Sequence, residues 1–324
     1  MKLNEITIEI TQQCPNQCVH CSSLSSLSQT TCLSLQTVME VVEDAVSLGC
    51  ESICLSGGEP FLHPELPKIV NQIVEHNIQC IIYTSGISYV DGEPVSVPVG
   101  ILESLKGRVG KYIVNVESSD EATYDKIMGT SFHGFEMMKR FISNAVAMGE
   151  VVEAHFVPMK LNYLQIPSVV EMCYELGVSK VSFLRLVVQG RGLDNVSKLL
   201  LDDTEMRETR QLMKEYMAKE VVDIRIGIPF MECDKRVNCL AGVSKLDVRY
   251  DGKVYPCEAF KNENLKHLIT AEADNVKEKS LKEIYRKSDY LLQARKLLEK
   301  FQTQMTCETC MNQFYTKHNQ NEHR

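Results

Sequence analysis

Cys14-Pro15-Asn16-Gln17-Cys18-Val19-His20-Cys21 sets three thiols at C-x3-C-x2-C spacing. Three soft thiolates on one short loop can cap three irons of a four-iron, four-sulfur cluster, which leaves the fourth iron without a protein ligand. An open metal position is where small molecules bind and react, as they do at catalytic zinc. Taken alone, the spacing also suits a zinc site completed by His20 or a remote cysteine. A second set of thiols lies near the other end. Cys239 and Cys257 flank an Asp251-Gly252 turn, and Cys307-Glu308-Thr309-Cys310 carries two more. Four converging thiols saturate one metal site, and their spacing alone admits structural zinc as well as an iron–sulfur cluster.

The rest of the composition fits such chemistry. Thirteen cysteines in a chain without a signal-peptide apolar region point to metal or redox work rather than disulfides. The 324 residues leave room for one large and one small domain. A net charge of −8 argues against bulk binding to nucleic acid or to an anionic membrane surface. No apolar run reaches the ~20 residues that span a bilayer, so no membrane partner is expected and the expected location is cytoplasmic. From Glu232 onward basic residues outnumber acidic ones, and the acidic excess lies before it. That shift suggests a boundary near residue 232.

The elements that must position the thiols follow a β-α rhythm. Ile6–Ile10 alternates as a strand, and Ser34 can cap a helix to about Leu48, closed by Gly49. Ser52–Leu55, Ile78–Tyr83, Tyr112–Val116, Val151–Val157 and Val181–Val188 read as further strands. Glu65–His76, Phe135–Met148 and Ile166–Leu176 read as the helices between them. The strands look apolar throughout, as strands buried on both faces of a parallel sheet do. Ile87–Pro98 reads as a polar loop, Asp202–Lys219 as a connecting helix, Leu246–Tyr255 as a hairpin, and Lys279–Phe301 as one long helix. Polar residues recur just after the strands, the face of a β/α barrel on which active sites form. The expected fold is α/β: a partial (β/α)6 TIM-like barrel over residues 1–200, a linker over 201–231, and a small C-terminal domain over 232–324.

With Cys14, Cys18 and Cys21 after strand one and Gly57-Gly58-Glu59-Pro60 after strand two, the chain resembles the radical S-adenosylmethionine (SAM) enzymes. The resemblance implies that SAM binds the open iron and that its cleavage by the reduced cluster yields a 5′-deoxyadenosyl radical. It implies SAM contacts for Gly57, Gly58, Glu59 and Pro60, for Thr84 in Thr84-Ser85-Gly86, for Asn115 and Ser118 at the ribose, and for Arg185 at the SAM carboxylate. Ser85 stands where relatives carry Asn. Cys239 to Cys257, with Ser280–Tyr285, is similar to the SPASM domain or its shortened twitch form. That likeness implies an auxiliary 4Fe-4S cluster on Cys239, Cys257, Cys307 and Cys310. The absence of further cysteines after Cys310 favours the twitch form.

Cys233 is left over, either a buried inert thiol or a hydrogen-atom donor to a substrate radical. Cys32, Cys50, Cys54, Cys80 and Cys173 read as core residues, and His133 and His155 as structural ones without partners. The expected function is radical SAM modification of a ribosomally made peptide by crosslink, thioether or epimerisation, with an external flavodoxin- or ferredoxin-type electron donor. One alternative is oxidation or epimerisation of a sugar or aminoglycoside. An alternative of another class is a non-catalytic iron–sulfur or zinc sensor.

Overall fold

A computed structural model describes residues 2–227, 230, 239–261, 265–304 and 310–311 of the chain. β1 (Glu5–Thr11) leads through the cysteine loop to α1 (Leu35–Ser47), β2 (Ser52–Gly57), α2 (Leu66–Glu75) and β3 (Gln79–Thr84). A hairpin of β4 (Ile87–Val90) and β5 (Glu93–Ser96) follows, then α3 (Val99–Leu105) and β6 (Lys111–Asn115). α4 (Glu121–Met128) and α5 (Gly134–Ala147) precede β7 (Val152–Phe156), and α6 (Ile166–Glu175) precedes β8 (Lys180–Phe183). Two short turns, α7 (Arg191–Asp194) and α8 (Val196–Leu199), lead to α9 (Asp203–Ala218) and β9 (Asp223–Ile226). The C-terminal part holds β10 (Lys245–Val248), β11 (Val254–Tyr255), α10 (Leu281–Lys287) and α11 (Asp289–Gln304). No helix among the described residues is long and apolar enough to cross a membrane.

The strands form one open sheet in the order β11-β10-β1-β2-β3-β6-β7-β8-β9. Neighbours are parallel except β10 and β11, which form the hairpin expected around Asp251-Gly252. Six strands, β1, β2, β3, β6, β7 and β8, make the expected partial barrel wall. β9 extends it at one edge and β10 at the other, so the C-terminal part is hydrogen-bonded directly to β1. Residues 231–238, where the boundary was expected, lie outside the described residues.

Side-chain alternation explains the layering. Ile6 pairs with Ile53, and Ile53 with Cys80; Ile8 pairs with Leu55, and Leu55 with Ile82. All of these point to the helix layer and join the main core. The next residue along each strand points the other way: Thr7, Glu9, Cys54, Ile81, Tyr83, Ile113, Asn115, His155, Ser182 and Asp247. This inner face corrects the expectation of strands apolar throughout. It is buried yet largely polar: Thr7, Glu9, Ser182 and Asp247 are all nearly inaccessible. Buried polar groups need partners, so this face has to be built around an internal network or a ligand.

Part of that network ties the C-terminal part to β1. Lys261 is ion-paired with Glu9, both almost fully buried, and Ser23 Oγ donates to Glu9 Oε1 at 2.8 Å. Asp247 lies beside them, and burial pushes its carboxyl well above the usual carboxylate range. Nearby, Lys245 bridges Glu5 at 3.0 Å and Glu258 at 2.8 Å.

Three local expectations change. Ile87–Pro98 is not a plain loop: β4 and β5 pair across Asp91-Gly92, both with positive φ, as a two-residue hairpin turn demands. The long C-terminal helix is two helices. Ser288 leaves helical geometry with ψ 123°, and its Oγ accepts from Leu291 N at 3.2 Å to start the next one. Cys32 is exposed rather than in the core.

The buried Lys261–Glu9 pair gives a direct test. Lys261→Met should lower stability by about 3–5 kcal/mol, because Glu9 is left buried and unpaired. Glu9→Gln added to Lys261→Met should recover most of the loss. Urea midpoints of the three proteins measure both effects; a single variant as stable as wild type would show that the pair does not hold the parts together.

Candidate active site

The cysteine loop leaves β1 at Thr11 and is held from outside. Gln17 N donates to Met128 O at 3.0 Å and Val19 N to Ile127 O at 2.8 Å, both at the end of α4. On the other side Arg191 donates through Nε to Cys18 O at 2.8 Å and through Nη2 to Ser25 O at 2.9 Å. Its backbone N–H reaches Cys21 O at 3.0 Å, and Asn195 Nδ2 reaches Val19 O at 3.1 Å. Gly190 permits this approach: at φ 53°, a Cβ there would lie 2.6 Å from Cys21 O.

The held loop forms one wall of a cavity of about 250 Å³. Cys14, Cys18 and Cys21 line it, with Gly57, Gly58, Glu59, Thr84, Asn115 and Arg185 among the opposing residues. The loop thiols and the residues expected at SAM therefore lie around one cavity, apart from two. Pro60 starts a 3-10 turn, Pro60–Leu62, behind the wall. Ser118 is also absent from the lining. Its Oγ donates to Gln165 Oε1 at 2.7 Å and lies 2.9 Å from Asp120 O, at the start of α4.

Each lining group has a local reason for its place. Gly58 lies so close to the loop that a Cβ would meet Gln13 O at 2.1 Å, while its N–H donates to Thr11 O. Glu59 is fully buried, and its carboxylate accepts from Thr84 Oγ1 at 2.7 Å, Ser85 N at 2.8 Å and Ser85 Oγ at 2.6 Å. The glutamate so clamps the end of β2 to the end of β3. Burial raises its pKa to about 6, against the pull of the Ser85 and Thr84 hydrogen bonds. Burial likewise pushes the Cys14 and Cys18 thiols up; Cys18 feels Cys21, and Cys14 feels Cys18 and Glu59. Ligation by iron removes those thiol protons.

Several lining groups were not singled out in the sequence: Asn16, Ser25, Tyr83, Glu9 and Lys261. Asn16 Nδ2 and Oδ1, His20 Nδ1 and Ser25 Oγ are buried without a protein partner. Each such atom costs about 1–3 kcal/mol when nothing meets it, so the wall is made for a polar occupant. His20 Nε2 faces Glu117 Oε1 at 3.5 Å. Burial lowers His20 to about 4 and raises Glu117 to about 8. Near neutrality the two are a neutral pair, and the charge held against the cysteine loop is that of Arg191. His155 has a partner after all, an edge-on contact with Tyr83 at 5.3 Å, and exposed His133 meets Glu121 at 2.8 Å.

Cys239, Cys257 and Cys310 gather beside this cavity: burial pushes the Cys239 and Cys257 thiols up, Cys310 adds to both, and Cys239 adds to Cys257. Cys307 and Cys233 lie outside the described residues. Arg185 Nη1 donates to Cys310 Sγ, which was not foreseen for a residue expected to face a carboxylate. Among the described residues, no three His, Cys, Asp or Glu side chains meet where one metal ion would sit. The donor sets are soft thiols, Cys14, Cys18 and Cys21 on the loop and Cys239, Cys257 and Cys310 beside it, the ligand chemistry of four-iron clusters, in which each thiolate caps its own iron.

Residues 8–190 match the family model of the radical SAM superfamily, more than half of the chain. The chain belongs to the radical SAM superfamily. Residues 239–311 match the SPASM iron–sulfur cluster-binding domain. This radical SAM enzyme accordingly uses SAM, a 4Fe-4S cluster that binds it, and auxiliary iron–sulfur chemistry in its C-terminal domain. It is 27% identical over 263 residues to the PqqA peptide cyclase of Gluconobacter oxydans, covering 78% of this chain and 69% of that protein. It is 28% identical over 204 residues to the Fe-coproporphyrin III synthase of Methanosarcina barkeri, covering 62% of this chain and 48%, about half, of that protein. The fold is shared with Streptococcus suis SuiB bound to its precursor peptide SuiA, with a TM-score of 0.73 at 16% identity over 91% of this chain and 67% of SuiB. It is shared also with anSMEcpe bound to SAM, with a TM-score of 0.65 at 15% identity over 92% of this chain and 84% of that one.

The neutral His20–Glu117 pair has a pH signature. Folded Glu117 keeps its proton up to about 8, whereas its ordinary value is 4.5. The folded state binds the extra proton between those values, so this group's contribution to stability falls as pH rises from about 4.5 to about 8. Glu117→Gln should remove that slope. Urea midpoints of wild type and variant across the window should diverge, wild type losing ground with pH; parallel profiles would mean Glu117 is ionised in the fold.

Proposed function

We propose that Cys14, Cys18 and Cys21 hold the SAM-binding cluster and that Cys239, Cys257, Cys307 and Cys310 hold an auxiliary cluster. We propose further that the enzyme modifies a ribosomally made peptide by an oxidative crosslink or a related change. The observation that carries the reading is the single cavity that joins the three loop thiols, the Gly57-Gly58 backbone and Arg185 on the polar inner face of the barrel. When bound and reduced, the cluster and SAM supply a 5′-deoxyadenosyl radical that removes a hydrogen atom from substrate.

The protein's own part is placement. Gly57 and Gly58 let SAM approach the backbone, with Glu59 fixed beside it by Thr84 and Ser85. Asn115 offers an amide to the ribose side, and Arg185 a guanidinium to the carboxylate. Asn16, His20 and Ser25 present their unpartnered atoms to the same occupants. Tyr83, Glu9 and Lys261 line the cavity on the barrel side and are left to face substrate. Residues 1–200 and 232–324 act as the two functional units, joined by 201–231, and the electrons enter from an external flavodoxin or ferredoxin. The peptide class is supported by the likeness to a peptide cyclase over most of both chains. The oxidative outcome is supported by a second thiol set beside the first.

The anaerobically reconstituted protein should hold about eight irons, the sum of two four-iron clusters, and should form 5′-deoxyadenosine from SAM and dithionite. Cys14→Ala should keep about half the iron and form no nucleoside. Cys257→Ala should still cleave SAM but should leave a peptide substrate without the loss of two hydrogen atoms seen by mass spectrometry. Bound zinc, or iron without SAM cleavage, would favour the sensor reading.

A further inference from the structure

The segment that follows β8 touches both thiol sets. Leu184 N donates to Phe156 O at 2.9 Å as regular strand structure ends. Arg185 then reaches Cys310 Sγ from a position on the cavity wall. A turn later Gln189 donates to Ala259 O, two residues beyond Cys257. Arg191 closes the segment on Cys18 O, Cys21 O and Ser25 O of the cysteine loop. One short stretch of chain therefore runs from the C-terminal thiols to the loop thiols, with a guanidinium at the junction.

We propose that Arg185 couples the two iron–sulfur sites electrostatically. Its single positive charge serves both the carboxylate of SAM in the cavity and the Cys310 thiolate of the auxiliary site. Occupancy of the first therefore lowers the reduction potential of the second. The inference rests on the assignment of SAM and two clusters given above. A guanidinium carries five donors in a rigid planar fork and keeps its charge, so it can meet two anions at once from one position. Iron–sulfur potentials follow the net charge around the cluster and the hydrogen bonds to its sulfurs. A donor and cation on Cys310 favours the reduced, more negative cluster. A carboxylate arriving on the same guanidinium cancels part of that charge and makes reduction harder. Arg185 is in this role a positioning and tuning residue.

The test is a redox titration of the holoenzyme, with the auxiliary cluster followed by electron paramagnetic resonance in the presence and absence of SAM. In wild type, SAM should lower the auxiliary potential by about a tenfold change in the reduction equilibrium, roughly 59 mV for one electron. Arg185→Gln should begin at a lower potential and show no response to SAM. If Arg185→Gln does not load its auxiliary iron, Arg185→Lys carries the comparison: its point charge keeps the cluster but cannot fork to two anions, so the response to SAM should shrink. An unchanged starting potential in Arg185→Gln, or a SAM response undiminished in either variant, would overturn the coupling. A wild-type protein without a second cluster, or without SAM cleavage, would instead overturn the assignment on which the inference stands.

Discussion

Backbone carbonyls of the cysteine loop, captured by side chains from elsewhere, are the interaction on which the site depends. A loop bearing three thiols cannot satisfy its own carbonyls by regular structure and still face a cluster. Arg191 and Asn195 take Cys18 O, Ser25 O and Val19 O, and the end of α4 takes the N–H groups of Gln17 and Val19. The loop is thus fixed by the helix that follows the fourth strand of the wall and by the segment that follows the sixth. Glycines at 58 and 190 make the required approaches possible, since any Cβ would strike a loop carbonyl.

The same logic governs the interior. A barrel interior is ordinarily filled with side chains, and here that filling is polar. Glu9, Lys261, Asp247 and Lys245 sit where branched aliphatic residues would give greater stability. Their burial is tolerable because they neutralise one another in part, and Glu9 and Lys261 also border the cavity. The C-terminal domain supplies Lys245, Asp247 and Lys261 to this face, and through Lys261 it lines the cavity as well as carrying thiols.

Much of this was legible in the residues. The outer faces of the strands follow from alternation at Ile6, Ile8 and Ile10, and the thiol loop, Gly57-Gly58 and Arg185 fall after strands where a barrel places its chemistry. The polar inner face was harder to see. Single polar residues such as Thr7, Glu9 and Ser182 look like ordinary strand punctuation until register sets them side by side. Asp91-Gly92 carried the same hairpin signal as Asp251-Gly252 and was obscured by the prolines around it. Ser118 was read as a cofactor contact from its place after a strand, and a hydroxyl at a helix start also has a nearer use, here Gln165 and the Asp120 backbone. Lys261 gave no local signal, since its role depends on a partner far away in sequence.

The central claim is that the cavity beside Cys14, Cys18 and Cys21 presents an iron to SAM. Pulsed electron–nuclear double resonance on the reduced protein, with SAM labelled at its amino nitrogen and carboxylate oxygens, measures that contact directly. The account predicts hyperfine coupling from both labels to one unique iron, lost when Cys14, Cys18 and Cys21 are replaced by alanine. A reduced cluster that cleaves no SAM and shows no coupling to either label would contradict it.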